Sequence, residues 1–411
     1  MNGEKIRRYL FCLLVHPFLF LIRFFSYLVP REEKIWVFGH PRKFEGNGKY
    51  LFLHIQNNAK DSGIKAIWIS RNEELGDELR GKGCLAVQGK SFQGIWYLLR
   101  AKYFITDTSV EVISYWLSGG AKIINLFHAL PIKKMEQDVK KGESSEVLLF
   151  ASQGILKLAM RFLFPWRFVK PDYVASPSPL YTGIFRSAFD IPEERIIQVG
   201  CPRTDVLMRE IPGAEVGVDL HAHEKIQELK QKGSKVVLYA PTFRDTGDQS
   251  FLEEREKLEM LNGLLERSHA FFVVKVHPFT RISIPQGEYS HIIFVLPVTD
   301  SYPLLKLADV LVTDYSSIFV DFLLLDRPEI FFAYDLEKYV TKDRELYFDY
   351  DEFTPGPKAY TFEDFLKILE ETLKREDHFK EARKRQRDLC FVHQDGNAAK
   401  RVFSFLLSSP S

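Results

Sequence analysis

Two adjacent serines, Ser316 and Ser317, stand where a short β-branched run, Val310 to Thr313, gives way to an apolar stretch, Ile318 to Leu325. The run reads as a buried strand and the stretch as a helix that Pro328 ends. The first N–H groups of a helix have no partners within it, and the macrodipole adds about half a positive charge there. With hydroxyls as extra donors, such a junction suits a phosphate. The same serines also suit an ordinary helix cap, the commoner role on local pattern alone. Thr242 and Arg244 follow another strand, Lys235 to Tyr239, and a hydroxyl beside a guanidinium fork suits an anionic oxygen. His128 follows the strand Lys122 to Leu126, and His277 follows Ala270 to Val276. An imidazole titrates near neutrality and suits a general base, although a strand-end histidine is more often structural. Asp107 ends the strand Tyr103 to Thr106 and either caps a helix from Val110 to Leu117 or faces a cleft. Asn47 lies in Gly46-Asn47-Gly48, read as a turn because the third glycine of a dinucleotide fingerprint is missing. Arg203 either pairs with Asp205 or faces a ligand.

The elements that must carry these residues alternate strand and helix along most of the chain, the pattern of doubly wound parallel α/β sheets, whose ligands lie beyond the strands' carboxyl ends. The 411 residues exceed one typical domain, so two are expected, and 45% hydrophobic residues suffice for two cores. A balance of 56 Lys and Arg against 55 Asp and Glu gives no general attraction to polyanions, so nucleic acid is not an expected partner. The four cysteines, Cys12, Cys84, Cys201 and Cys390, have no paired spacing, which argues against a zinc site or a disulfide framework and fits a reducing cytoplasm. No P-loop, His-Glu-x-x-His helix or clustered acidic motif occurs, so no metal is expected.

Residues Tyr9 to Val29 are apolar but interrupted by His16, Pro17 and Arg23. An interfacial helix is favoured over a signal anchor or a helix packed on the protein's own core. In that reading Arg23 snorkels to the head groups while Phe18, Phe20, Phe24 and Phe25 enter the lipid boundary. Val147 to Phe168, with Lys157, Arg161 and Arg167 among aromatic residues, is either a second membrane or acceptor face or a core helix.

The run DVLVTDYSSIFVDFLLLDRPEIFFAYDLEKY followed by RELYFDYDEFTPGP, with Tyr-Ala-Pro-Thr-Phe-Arg ending at Arg244, Gly-Cys-Pro-Arg-Thr-Asp at 200–205 and His277-Pro278, resembles the CDP-glycerol glycerophosphotransferases of teichoic acid and capsule synthesis. The segment from His128 to Lys133 is similar to the family's His-Gly-Thr-Pro-Leu-Lys but carries Ala129 and Leu130 instead of glycine and threonine. The resemblance implies a GT-B-like fold, two Rossmann-like domains facing a cleft, with CDP-glycerol as donor and no cofactor or metal. The implied acceptor is an undecaprenyl-diphosphate-linked saccharide at the membrane surface, reached by peripheral attachment to the cytoplasmic face. His128 is then expected to deprotonate the acceptor hydroxyl and His277 to act at the donor pyrophosphate. Arg203, Thr242, Arg244, Asp314, Ser316 and Ser317 would bind the donor, and Asn47, Asp107 and Lys133 would lie on the acceptor side. The expected organisation is a membrane-associating segment (1–30), an acceptor-side domain (31–192), a donor domain (193–375) and C-terminal helices crossing back (376–411). The compact length resembles the primases. A glycerol- or ribitol-phosphate polymerase of the same family and a GT-B glycosyltransferase using a nucleotide sugar are the alternatives.

Overall fold

A computed structural model describes residues 3–40, 43–141, 146–242, 251–276, 283–336, 345–374 and 377–409, with side chains in the first helix from Cys12 onward. It contains two parallel sheets. The first runs β1 (Glu32–Phe38), β2 (Lys65–Ser70), β3 (Ala86–Gln88), β4 (Ala101–Thr106), β5 (Lys122–Asn125), β6 (Tyr173–Ser176) and β7 (Ile196–Gln198), in the order β3-β2-β1-β4-β5-β6-β7. The second runs β8 (Lys235–Tyr239), β9 (Ala270–Val274), β10 (Ile292–Phe294), β11 (Val310–Thr313), β12 (Glu329–Phe332) and β13 (Lys358–Ala359), in the order β10-β9-β8-β11-β12-β13. Sheets covered on both faces need strands that are apolar throughout, and Trp36 to Phe38, Tyr103 to Ile105 and Val310 to Val312 meet that need, each fully buried. Strand order reverses between β1 and β4 and again between β8 and β11, the positions where open sheets of this kind take their ligands.

Several expectations change. Ile196 to Val199, expected to open the second domain, supplies β7 of the first sheet, with Val174 opposite Ile196. The Gly46-Asn47-Gly48 segment is the first turn of the helix Gly46–Asn58. The helix expected from Val110 is a single 3-10 turn, Val110–Val112, capped by Ser109 and not by Asp107. Val147 to Phe168 divides into a π turn, the helix Gly154–Leu163 and the 3-10 turn Pro165–Phe168. The last helix, Ala398–Ser408, does return to the first sheet. The Tyr103 hydroxyl donates to the Leu406 carbonyl at 3.1 Å, and Phe403 and Phe405 lie against Trp36 and Tyr173.

The first helix, Gly3–Ser26, packs on this sheet's flank, and among the described residues no helix is long and apolar enough to cross a membrane. His16 and Arg23 point inward. His16 shares a hydrogen bond with the Phe162 carbonyl at 2.9 Å and lies among Phe20, Trp116 and Trp166. Arg23 donates to the Tyr115 carbonyl and Ser118 and stacks 4.0 Å from the Tyr115 ring. Arg23 therefore does not snorkel, and Phe20 packs on Trp116 and Phe162. Phe18, Phe24 and Phe25 remain exposed, as do Leu14 and Leu21.

Glu329 opens β12 fully buried, with neither carboxyl oxygen hydrogen-bonded among the described residues. Burial raises its pKa well above the ordinary value, and the charge of Arg383 only partly offsets this. Between the unfolded and folded pKa values the native state holds a proton that the unfolded chain lacks, so stability falls as pH rises, by at most about 1.4 kcal/mol per unit. Glu329→Gln removes that loss. Its melting temperature should exceed that of the natural chain by a margin that widens from pH 5 to pH 8, and a margin that narrows over that interval would contradict a protonated buried carboxyl.

Candidate active site

His128 projects from a tight loop after β5. Phe127 adopts a left-handed conformation, φ 49°, and its N–H donates to the Asn125 side chain at 2.9 Å. Asn47, fully buried in the first turn of its helix, donates to the carbonyls of Leu126 and Phe127 at 2.9 and 2.5 Å. Asn47 thus fixes the histidine loop and does not face the cleft. Nδ1 of His128 lies 3.3 Å from the Asp107 carbonyl. A carbonyl only accepts, so Nδ1 carries the hydrogen and Nε2 is the basic nitrogen.

The Asp107 carboxylate turns away from the cleft and accepts from the Gly48 N–H at 2.9 Å. Burial pushes its pKa up to about 7 against the opposing charge of Arg203 and the Gly48 and Asn47 amides. A side chain at Gly46 would place its Cβ 2.1 Å from this carboxylate, and Gly46 has φ +76°, so both space and conformation demand glycine.

Across the cleft, Asp314 joins the ends of β8 and β11. Its carboxylate accepts from the Thr242 N–H and hydroxyl at 2.9 and 2.7 Å and from the N–H groups of Tyr315 and Ser316 at 2.5 and 3.2 Å. Asp314 is therefore a buried clamp and not a ligand group, and the Thr242 hydroxyl hydrogen is directed to it. Ser316 and Ser317 are half-buried at the start of the helix Ile318–Phe322, which continues as the 3-10 turn Leu323–Leu325. Ser317 occupies the cap position without a side-chain cap bond, so the ordinary capping role is not taken.

Arg203 is wholly buried and faces neither Asp205 nor the cleft. Its guanidinium forks onto Asp321 at 3.0 and 3.1 Å and donates to the Phe127 carbonyl at 3.1 Å. The Tyr302 hydroxyl adds a 2.6 Å bond to Asp321. Asp205 instead accepts from the Ala398 and Ala399 N–H groups at 2.8 and 2.9 Å, capping the last helix. Asp321 was not singled out from sequence. Its signal was a lone carboxylate in the apolar run Ile318 to Leu325, which needs a buried cation.

His128, Lys133, Thr242, Ser316 and Ser317 line one cleft of about 640 Å³, which brings the first-sheet imidazole opposite the second-sheet serines. Lys133 forms an antiparallel bridge with Leu346, flanked by the Lys134 N–H to the Glu345 carbonyl at 2.8 Å and the Tyr347 N–H to the Ile132 carbonyl at 2.9 Å. The segment after β12 thereby closes on the segment after His128. Sequence reasoning also missed His40, Lys43, Glu45 and Lys275. Glu45 lies 3.6 Å from His40 and 3.3 Å from Lys43. Burial, with Lys43 and His128 nearby, lowers the His40 pKa to about 4, and burial lowers that of Lys275 to about 8. Arg244 and His277 lie outside the described residues. Among the described residues no group of three or more His, Cys, Asp or Glu is placed to hold a metal ion.

The model of one protein family, CDP-Glycerol:Poly(glycerophosphate) glycerophosphotransferase, matches residues 21–408. The chain is 27% identical to a teichoic acid poly(glycerol phosphate) polymerase of Bacillus spizizenii, over 84% of this chain and 85% of that one. It is 30% identical to a teichoic acid glycerol-phosphate transferase of Staphylococcus aureus, over 75% and 77% respectively. It spans less than half the length of several other polymerase relatives. A solved structure of the wall teichoic acid polymerase TagF superposes with a TM-score of 0.76 over 99% of this chain and 98% of that one, at 23% identity, a likeness of fold.

Arg203→Met leaves Asp321 buried without its cation. Denaturant unfolding should register a loss of about 3–5 kcal/mol, with partial recovery in the double variant Arg203→Met/Asp321→Leu. A single-variant loss below about 1 kcal/mol, in the range of an exposed pair, would show that the pair does not join the two sheets energetically.

Proposed function

The chain belongs to the CDP-glycerol:poly(glycerophosphate) glycerophosphotransferase family, and from that premise we propose that it transfers glycerol phosphate from CDP-glycerol to a hydroxyl of a lipid-linked saccharide in teichoic acid synthesis. One observation carries this reading: His128 and the Ser316–Ser317 helix end line the same cleft from opposite sheets. Nε2 of His128 takes the acceptor proton as the acceptor oxygen attacks the phosphorus bearing glycerol. A new P–O bond forms, the pyrophosphate bridge breaks, and CMP departs with the electron pair. Ser316, Ser317 and the N–H groups beside them oppose the charge on the leaving group, as Arg244 and His277 would at their strand ends. A preorganised donor of this kind contributes roughly 3 kcal/mol. Lys275, two residues before His277, adds positive charge on the donor side.

The two doubly wound sheets support a GT-B-like reading, with the acceptor on the first and the nucleotide on the second. As the finer reading, this chain is a primase that adds the first unit. Extension is the second reading, favoured by the polymerase relative matched over most of both chains. The acceptor lipid is read as undecaprenyl diphosphate, and attachment as peripheral, on the cytoplasmic face. The exposed row of Leu14, Phe18, Leu21, Phe24 and Phe25 supports that attachment. So do Ile155 and Leu158 on the helix Gly154–Leu163, which packs beside the first helix through Cys12, Met160 and Leu163.

Incubation with CDP-glycerol and a synthetic lipid-linked disaccharide should release CMP, whereas UDP- and GDP-sugars should not react. Product mass then separates one added unit from a ladder. His128→Ala should abolish transfer and leave CDP-glycerol affinity within about twofold, and an active variant would remove the proposed base. Phe18→Asp/Phe24→Asp/Phe25→Asp should release the folded protein from phosphatidylglycerol vesicles. Deleting the whole helix would confound this test by uncovering His16 and Arg23 partners, and undiminished binding of the triple variant would move attachment elsewhere.

A further inference from the structure

A second hollow, of about 150 Å³, opens beside the catalytic cleft on the first-sheet side, between the helix Gly154–Leu163 and the turn Pro165–Phe168. Its walls include Lys157, Arg161, Arg167, Lys170, Glu136 and Asp190. Arg167 lies 3.6 Å from Glu136 and 3.7 Å from Glu146, and Lys170 lies 2.6 Å from Asp190. Those contacts account for both carboxylates of the hollow. Among the described residues, no carboxylate lies within ion-pair distance of Lys157 or Arg161, and Lys157 acts only at longer range on Asp190, which Lys170 already holds. The two are four residues apart and share one helix face, and the Arg161 guanidinium stacks 5.5 Å from the Phe168 ring. Burial pushes the pKa of Glu136 up to about 7, which weakens its repulsion of an anion at neutral pH.

The hollow's neighbours on either side define what could lie in it. On the same helix, Ile155 and Leu158 are 86% and 65% exposed and present an apolar surface next to the basic face. On the other side, Thr108, Ser109, Glu136 and Arg167 line both the hollow and the cleft that holds His128. An apolar face, two cations outside direct ion pairs and a passage to the base thus follow one another in the order of tail, charged linkage and sugar in a lipid-linked saccharide.

We propose that this hollow binds the diphosphate linkage of the lipid-linked acceptor, with Lys157 and Arg161 facing its two negative charges and Arg167 at the passage toward His128. This rests on the glycerophosphotransferase reading for the identity of the acceptor. The hollow itself is tested by binding, which needs no turnover. A guanidinium and an ammonium suit the phosphate of an anionic phospholipid equally well, so the test must separate the two sources.

The full chain is titrated calorimetrically with farnesyl diphosphate, with farnesol and with CDP-glycerol. The double variant Lys157→Ala/Arg161→Ala should bind farnesyl diphosphate about tenfold or more weakly, the scale expected for losing charge-assisted contacts. Its CDP-glycerol affinity, farnesol response and thermal melting should be unchanged, since Arg161 is exposed and Lys157 only half-buried, and neither lines the cleft. Failure of the natural chain to bind farnesyl diphosphate, or undiminished affinity in the variant, would overturn the proposal. So would a loss confined to phosphatidylglycerol vesicles, which would assign the two cations to bulk lipid. If the natural chain transfers nothing from CDP-glycerol yet binds farnesyl diphosphate through Lys157 and Arg161, the functional reading fails and the hollow stands. Active transfer without that binding has the opposite meaning.

Discussion

A fully buried guanidinium governs this architecture. Arg203 cannot lose its proton to escape burial, so it requires a carboxylate and further acceptors, and Asp321 and the Phe127 carbonyl supply them. The two acceptors belong to different halves of the site. Phe127 immediately precedes His128 at the end of β5, and Asp321 lies on the helix that Ser316 and Ser317 open at the end of β11. One side chain therefore sets the separation of imidazole and serines. Lys49, also wholly buried, repeats the device: it reaches Asp300 at 2.7 Å and the carbonyls of Ala214 and Val216 at 2.7 and 2.8 Å. Buried pairs contribute little net stability compared with apolar packing, but they penalise any arrangement that separates the partners. At an interface between two sheets that penalty is a positional constraint.

Three buried carboxylates around the site follow a common rule. Asp107 accepts from Gly48, Asp314 from Thr242, Tyr315 and Ser316, and Asp205 from Ala398 and Ala399. Each is turned toward backbone amides and holds one segment against another. A sequence pattern cannot distinguish such an aspartate from one that faces a ligand, because both need the same residue at the same position. Distinguishing them needs the location of the amides, and those come from segments 59, 72 and 193 residues away.

What was legible in the chain was local. The strands Val310–Thr313 and Lys235–Tyr239 coincide with their apolar runs because burial on both faces leaves no other composition. The convergence of His128 with Ser316 and Ser317 was also legible, since both occupy carboxyl ends of parallel strands. The misread elements depended on distant partners. Gly46-Asn47-Gly48 has the composition of a turn but lies in a helix, because Asn47 and Gly48 are held by a loop 79 and 59 residues away. Ile196 to Gln198 joins the first sheet because β6 offers it an edge, which composition does not record. Arg23 reads as an interruption of an apolar segment, yet its partners are a carbonyl and a hydroxyl more than ninety residues on.

The choice of a carbonyl, and not a carboxylate, behind His128 fits the electrostatics of the cleft. A carboxylate on Nδ1 would orient the ring equally well but would place a negative charge beside any diphosphate entering from the second sheet. The Asp107 main chain orients the ring without that charge, while the Asp107 side chain is held behind Gly48, partly protonated at neutral pH. His40 is neutral there for the complementary reason, burial near Lys43 and His128. Lys133 lines the cleft, Asp107, Asp314 and Asp321 do not, and Glu136 and Glu146, which do, lie 3.6 and 3.7 Å from Arg167. A cleft so arranged favours a polyphosphate to the extent that its acids are committed elsewhere, three of them to amides or a buried guanidinium and two to Arg167.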